Sequence, residues 1–365
     1  EQLDISDILA SLIVADPALL GRIGMGGAAF ETTHSWMEDA LNAKTLTQEA
    51  VELSAAGVTL NITADAGNLL RKGSLLMDIA AGKSEVVQVT AISTTALTIT
   101  RGYGSTNGEI HAASAVWRII SQPVQENDEG KADRSTVRTK AYNYTQIFKN
   151  EVELSNTMLQ VKQAGVANEL ALQLQNRAIE LKNELADHLI NGIRSSAAGS
   201  DSVYRSMGGI REFILNFGST TYNVDTDSEA LDYSVVNDLT ALIADQGVLP
   251  NLLVGPVGQI QRFSAIDYDK VRLSPSDRVR GVYVTKYLTN LGIELDLVPD
   301  RWMRVDEVMI LDSNRIKLMP LQGRNWQMSP LAIVGDGKSA MTVGEFTLEV
   351  RNGPKAHALH TNLTV

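Results

Sequence analysis

The chain has 365 residues, of which 44% are hydrophobic, 21% charged and only 5% aromatic. This length suits two or three lobes filled mainly by aliphatic side chains. The formal charge is −11, from 32 Lys and Arg against 43 Asp and Glu, which excludes a general nucleic-acid binder because phosphate contacts need clustered cations. The lack of cysteine excludes disulfides, thiolate catalysis and Cys-based zinc sites. No apolar run approaches the roughly 18 residues of a membrane span.

An N-terminal arm is predicted over residues 1–45. Its acidic, polar start differs from a signal peptide. A short helix is expected at residues 8–13, and Asp16-Pro17 would end it. Four glycines between Gly21 and Gly27 then indicate a flexible or tightly turned chain. Because such a segment has little core of its own, we expect it to pack on something else, such as a neighbouring copy.

Residues 53–121 carry the pattern of a small all-β insertion. Strands are predicted at residues 86–92, 96–101 and 115–120, the first two joined by a tight connection at residues 93–95. Gly, Ser and Asn at residues 102–108 indicate a turn-rich loop. Residues 123–165 are polar and mixed, and a loop is predicted at residues 125–138, where charges of both signs meet few large apolar side chains.

The strongest periodic signal lies at residues 166–193. Apolar residues recur there at steps of three or four, and neither Gly nor Pro intervenes between Val166 and Asn191. This pattern predicts one amphipathic helix about 40 Å long that ends at Asn191-Gly192. Periodicity alone fits a helix of a bundle as well as a spine along which a flat subunit is built.

Helices and strands alternate over residues 200–320, which predicts an α+β lobe. Helices are expected at residues 234–245 and 257–266, and strands at residues 250–255, 282–285, 293–298, 307–311 and 316–319. Residues 341–351 predict a strong final strand. The alternation of apolar residues shifts at Gly344, which indicates a β-bulge there.

Two glycine-containing motifs resemble nucleotide-binding loops without meeting their requirements. Residues 335–339 (GDGKS) end like a phosphate-binding loop, but a strand pattern follows where a helix is needed, so a plain turn is favoured. Residues 24–29 (GMGGAA) have no preceding strand and fit a flexible arm better than a dinucleotide loop. Neither motif predicts a cofactor.

The candidate metal ligands are weak as a sequence signal. The acidic segment from Asp225 to Glu229 has Ala230 where a calcium-binding EF-hand needs Gly, so a solvated loop is favoured over a weak cation site. His357 and His360 follow Pro354 and do not predict helical ligand geometry. With neither a nucleophile elbow nor a His-Glu-x-x-His motif, no catalytic, cofactor-binding or metal-binding residue is predicted.

An ordered set of segments resembles the major head proteins of tailed bacteriophages over nearly the whole chain. The segments are residues 4–8 (DISDI), 17–20 (PALL), 34–41 (HSWMEDAL), 97–104 (LTITRGYG), 111–115 (HAASA), 143–148 (NYTQIF), 153–157 (ELSNT), 169–170 (EL), 330–338 (PLAIVGDGK), 344–350 (GEFTLEV) and 356–358 (AHA). The resemblance implies the α+β capsid fold of the Hong Kong 97 type. Some members of that family lose an N-terminal segment during maturation, which the missing initiator Met would fit.

The resemblance also implies a domain plan and a structural function. The plan has an N-terminal arm (1–45), an extended loop with the β insertion (46–122), a peripheral domain with the spine helix (123–199), an axial domain (200–320) and a C-terminal return to the peripheral domain (321–365). The protein would self-assemble into hexamers and pentamers of an icosahedral or prolate shell around double-stranded DNA, without catalysis or cofactors. A portal protein, decoration or scaffolding proteins and nearby, non-specifically held DNA would be its partners. It would reside in the virion after assembly in the host cytoplasm, without membrane contact.

Large aromatic side chains are typical anchors of interfaces. We therefore expect contacts between subunits at Trp36, Tyr103 and Trp117, and also at Arg101. An ordinary core position is equally consistent for Trp117 and fits Phe346 better. The alternative function is another virion protein or a carbohydrate-binding module built around the β insertion, which the long central helix disfavours. An enzyme of unknown class is the third.

Overall fold

The computed structural model describes residues 17–39, 41–63, 69–126, 135–161, 168–195, 204–215, 224–266, 286–332 and 335–364. The chain folds into two compact units. The first, here called the barrel unit, comprises residues 37–139, and the main unit comprises residues 1–36 and 140–365. The helix predicted at residues 8–13 and the strand predicted at residues 282–285 lie outside the described residues.

The strands, in chain order, are β1 (Gly24–Met25), β2 (Thr33–Glu38), β3 (Thr45–Thr47), β4 (Thr59–Asn61), β5 (Leu75–Asp78), β6 (Val86–Ile92), β7 (Ala96–Thr100), β8 (Val116–Ser121), β9 (Thr139–Tyr144), β10 (Gln146–Ser155), β11 (Val224–Asp225), β12 (Leu252–Gly255), β13 (Lys286–Leu288), β14 (Glu294–Pro299), β15 (Val308–Leu311), β16 (Ile316–Pro320), β17 (Gln327–Pro330), β18 (Gly337–Val350) and β19 (Ala358–His360). The helices are α1 (Asn156–Gln160), α2 (Glu169–Asn191), α3 (Ile210–Leu215), α4 (Tyr233–Asp245), α5 (Val257–Ile266) and α6 (Gly353–Ala356). Short 3-10 turns lie at Tyr103–Ser105 and Ser313–Arg315.

The barrel unit confirms the predicted all-β insertion. Its six strands follow the order β3-β8-β5-β6-β7-β4. The two outer strands are joined at their ends, because Gln48 and Ile62 form an antiparallel bridge and the Thr63 N–H donates to the Thr47 carbonyl at 3.0 Å. The sheet therefore closes into a small barrel, which side chains fill. The buried core consists of Leu46, Leu53, Leu60, Ile62, Leu70, Leu76, Val87, Val89, Leu97, Ile99 and Trp117.

The first sheet of the main unit carries the long helix. Its order is β1-β16-β18-β10, and β17 also pairs with β18. Helix α2 has 23 residues, about 35 Å, and it packs on β10 and β18 through Leu181, Leu185 and Leu189. The prediction of one long amphipathic helix is thus confirmed, and its partner is a sheet, not a helical bundle. The Asn168 side chain caps its first turn by accepting from the Ala171 N–H.

The predicted bulge at Gly344 is wrong. Strand β18 pairs with β10 in unbroken antiparallel register through Gly344, which lies opposite Phe148. The glycine is needed for space, because a Cβ atom there would lie 2.6 Å from the Phe346 ring and 2.7 Å from the Trp326 ring. The plain turn predicted at residues 335–339 is confirmed only at Gly335, whose φ is +77°, and it is wrong from Gly337 onward, where the chain belongs to β18.

The second sheet confirms the predicted α+β lobe. Its order is β11-β19-β15-β12-β14-β13. Both of its faces are buried, since Leu252 and Val254 point to the core under α2 while Leu253 points to a second core under α4 and α5. Helices α4 and α5 match the predictions within one residue. Strand β16, predicted as part of this lobe, instead joins the first sheet. Strand β18 joins the first sheet and β19 joins the second, so the C-terminal segment contributes to both.

Strand β10 is the main element that no sequence pattern predicted. It lies in the polar segment 123–165, and its burial alternates because Phe148 and Val152 point into the core while charged neighbours point outward. A period of two was present at Phe148, Val152 and Leu154, but polar Asn150 interrupts it.

Candidate assembly surface

Trp117 is a core residue of the barrel. Its side chain is fully buried, the indole N–H donates to the Gln48 Oε1 atom at 3.0 Å, and its ring centroid lies 4.4 Å from that of His111. Strand β8 places it there, between β3 and β5. A buried indole with its hydrogen bond satisfied stabilises its own unit.

A buried polar network lies beside Trp117. His111 has its Nδ1 atom 2.7 Å from Asp78 Oδ2 and its Nε2 atom 3.0 Å from Glu85 Oε2. Arg101 donates from Nε and Nη2 to the two oxygens of Glu85 at 2.6 Å each. Burial raises the pKa of Glu85, but the hydrogen bonds from Arg101, the Glu109 N–H and His111 outweigh it and lower that pKa to about 2.

Arg101 also binds three carbonyl groups. Its Nη1 atom donates to the Ser54 and Gly57 carbonyls at 2.8 and 3.1 Å, and its Nη2 atom donates to the Glu109 carbonyl. The guanidinium therefore joins β7 to two loops of the barrel unit. Its side chain is used within one protomer, which composition and strand pattern did not indicate.

Trp36 lies in the main unit on β2 and is almost fully buried. Its ring centroid lies 5.8 Å from that of Phe213 and 5.9 Å from that of His34. The His34 Nε2 atom contacts Glu349 Oε2 at 3.0 Å. This contact and the one from Arg351 lower the pKa of Glu349, against the opposing effect of burial.

Tyr103 is the member of the predicted contact set with a substantially exposed side chain, at 38%. It follows Gly102, whose left-handed backbone (φ +63°) starts the 3-10 turn. Beside it lies an open groove of about 320 Å³, lined also by Lys72, Gln88 and Val124. Tyr103 is thus available to a neighbouring molecule.

The sequence pattern missed a set of exposed aliphatic and aromatic side chains. Leu41 and Val137 in the barrel unit are 94% and 90% exposed, and Phe30 in the main unit is 78% exposed. Other large hydrophobic residues that are at least half exposed are Met37, Val51, Val58, Ile79, Ile110 and Val124 in the barrel unit, and Met25, Val161, Ile193, Tyr204, Leu249, Val257, Leu288, Leu291, Val305 and Met328 in the main unit. The sequence signal that could have revealed most of these residues is that they are large and apolar but lie outside the segments with helix or strand periodicity. Burial of these side chains against another molecule would remove apolar area from water.

Ion pairs of the buried Glu345 lie on the face of the first sheet opposite the core under α2. Glu345 on β18 accepts from Arg205 Nη2 at 2.6 Å and from the Thr145 hydroxyl at 2.6 Å, and Arg324 Nε lies 2.9 Å from it. Each added donor compensates the desolvation of the carboxylate. These charges are satisfied within the main unit.

None of the described helices carries an apolar stretch of the length that a bilayer requires.

Comparison with known proteins identifies the family. The SU10 major capsid protein family matches residues 1–364. The capsid of Myoviridae phage XM1 has a similar fold, with a TM-score of 0.51, 12% identity and coverage of 98% of this chain and 96% of that one. Structures from Mycobacterium phage Bobi (TM-score 0.49, 9% identity, 100% and 96% coverage) and Microbacterium phage Oxtober96 (0.48, 12%, 100% and 95%) are also similar. No curated protein sequence matches significantly. The chain belongs to the SU10 major capsid protein family, and it is a shell-forming structural protein of a tailed-phage head with the Hong Kong 97-type α+β fold.

Proposed function

We propose that this protein acts without catalysis and assembles as hexamers and pentamers into a closed icosahedral or prolate shell around packaged double-stranded DNA. The supporting observation is the exposed apolar surface, above all Leu41, Val137 and Phe30. One copy leaves these side chains in water. Their burial against other copies contributes about 25 cal/mol per Å² before the entropy of ordering is subtracted.

We further propose that residues 46–122 are the extended loop of the shell subunit. The compact unit 37–139 contains this range, and a closed barrel gives the loop a rigid end. Residues 1–45 would act as the N-terminal arm, and 123–199 as the peripheral domain with α2 as its spine. Residues 200–320 would form the axial domain, and 321–365 the C-terminal return.

We propose different roles for the four residues that were predicted to form contacts between subunits. Tyr103 would contact a neighbouring copy directly, because its ring is exposed. Arg101 would act by holding the loop that carries Tyr103 and the exposed Ile110, through its bonds to Glu85 and to the Glu109 carbonyl. Trp36 and Trp117 would stabilise the two units that present these surfaces.

The proposed partners follow from the shell. A portal protein, and scaffolding or decoration proteins, would bind the assembled copies. The net charge of −11 favours loose, non-specific contact with the packaged DNA, since like charges repel and DNA must leave the head. Assembly would take place in the host cytoplasm, and the mature protein would reside in the virion.

Negative-stain microscopy and sedimentation of the purified full chain test the assembly. Shells, or rings of five and six copies, are expected. Leu41→Asp combined with Val137→Asp should reduce shell yield at least tenfold while leaving the melting temperature of the free subunit unchanged, because both side chains contact solvent in one copy. The matched variant Leu41→Met with Val137→Ile keeps the apolar surface and should assemble. A wild-type chain that stays monomeric at high concentration would refute the proposal.

A further inference from the structure

Three possible metal ligands converge at one edge of the second sheet. Strands β11 and β19 are parallel neighbours, and their register places Asp225 opposite His360. Glu229 follows in the loop after β11. The Nε2 atom of His360 lies 3.2 Å from Glu229 Oε1 and 3.8 Å from Asp225 Oδ2, and the three donor atoms all lie within 4.8 Å of one another.

Backbone hydrogen bonds hold this loop at both ends. The Thr361 N–H donates to the Asp225 carbonyl at 2.9 Å, and the Thr364 N–H donates to the Glu229 carbonyl at 2.8 Å. The Asp227 N–H occupies the Oδ1 atom of Asp225, which leaves Oδ2 directed toward the imidazole. The donor atoms are therefore positioned by the fold before any ligand arrives, which reduces the entropy cost of binding.

The imidazole of His360 faces both carboxylates through its Nε2 atom. Its side chain is fully buried, its Nδ1 atom has no hydrogen-bond partner in the described part of the chain, and its Nε2 atom is directed into the space between the carboxylates. One hydrogen bond from Nε2 to Glu229 accounts for a single carboxylate. The Asp225 carboxylate is left without a hydrogen bond from the imidazole. Within the described ranges, neither Asp225 nor Glu229 forms an ion pair with Lys or Arg. The Asp225 and Glu229 side chains are 30% and 44% exposed, so a cation between them would reduce the repulsion of two partly solvated charges.

We propose that Asp225, Glu229 and His360 bind one divalent ion of the zinc class, with a fourth position open to water. Zinc bonds of about 2.0–2.2 Å to N and O place neighbouring ligands about 3.3–3.5 Å apart, close to the separations from Nε2. A single imidazole with two carboxylates suits zinc better than calcium, which takes six to eight oxygen ligands. The ion would join β11 to the C-terminal segment. Since no group in the described part of the chain accepts from Nδ1–H, we expect micromolar affinity.

Zinc titration of the full chain tests the site. Calorimetry, and equilibrium dialysis against buffer of known free zinc concentration, should give one zinc ion per chain, and added zinc should raise the melting temperature. Glu229→Gln and Asp225→Asn should each weaken binding at least tenfold. The control Asp227→Asn removes an equal charge from the same loop without touching the three donors, and it should bind zinc like the wild type.

The absorption spectrum of bound cobalt(II) gives a second readout of the site. Cobalt(II) should give visible absorption bands of a four-coordinate site in the wild type, and Glu229→Gln should abolish them. Because the His360 side chain is fully buried, its replacement would disturb folding, so the test uses substitutions of the two carboxylates. Absence of saturable zinc binding, equal loss in Asp227→Asn and Glu229→Gln, or tighter binding of calcium than of zinc would each overturn the proposal.

Discussion

Arg101 holds both oxygens of the Glu85 carboxylate, with Nε 2.6 Å from Oε1 and Nη2 2.6 Å from Oε2. This pair is buried in the barrel unit and connects strand β7 to the segment before β6. Glu85 also accepts from the Gly102 and Glu109 N–H groups and contacts His111. A carboxylate with this many donors is stabilised in its charged form.

Replacing Glu85 by Gln should lower the free energy of unfolding by about 3 kcal/mol, because the buried cation Arg101 loses its counter-charge. The effect should depend on pH. The pKa of Glu85 falls from 4.5 to about 2 in the folded state, so its stabilising contribution is complete above pH 4.5 and is lost as pH falls toward 2. Denaturant unfolding of the free subunit between pH 6 and 2 measures both effects.

The control for this experiment is Glu294→Gln, which removes an exposed partner of Lys286 and should leave the denaturation midpoint unchanged. If Glu85→Gln and the wild type lost stability in parallel below pH 4.5, the assigned role of Glu85 would be wrong.

His357 should make the main unit sensitive to mild acid. Burial, with the Arg315 charge nearby, lowers the pKa of His357 from 6.5 to about 3. Its Nδ1 atom accepts from the Asp312 N–H at 3.2 Å, which requires an unprotonated Nδ1. The folded state thus binds this proton less readily than the unfolded state, so stability is complete above pH 6.5 and declines toward pH 3, by up to about 1.4 kcal/mol per pH unit.

His357→Asn retains an acceptor and cannot gain that proton. Between pH 6.5 and 5.5, where Glu85 is mainly charged in both states, the wild type should lose stability and this variant should lose much less. Matching slopes for the two proteins in urea titrations over that range would contradict the assignment.

Gly344→Ala should destabilise the first sheet by about 1–3 kcal/mol, because its Cβ would overlap the Phe346 and Trp326 rings, which pack against each other at 4.9 Å between centroids. The control is Gly258→Ala in helix α5, where a Cβ meets nothing within 4 Å and alanine favours the helix. Opposite shifts of the melting temperature are expected. Equal shifts would show that backbone entropy, and not ring packing, governs position 344.

Tyr103→Ala and Trp117→Ala should separate assembly from folding. Tyr103 is exposed, so its truncation should reduce shell yield while the melting temperature of the free subunit stays within about 2 °C of the wild type. Trp117 fills the barrel core, so its truncation should cost about 3–5 kcal/mol of stability. Microscopy combined with thermal unfolding distinguishes them. Normal shells from Tyr103→Ala would remove this residue from the contact surface.

The sequence by itself determined the elements whose signal is local. Helix α2 was predictable because apolar residues three and four positions apart form one face of a helix wherever the chain places it. Strands β6 and β7 and helices α4 and α5 followed from the same kind of pattern. The ordered segments of a capsid family also extend along the whole chain, so the family resemblance needed no coordinates.

Only the tertiary structure decided which distant segments meet. The bridge between Gln48 and Ile62 closes the barrel, unbroken pairing with β10 removes the expected bulge at Gly344, and the parallel register of β11 and β19 places His360 beside Asp225. Periodicity states which face of a strand is apolar, but not which strand lies beside it. Strand pairing joins residues far apart in sequence, and the packing of the whole chain selects it.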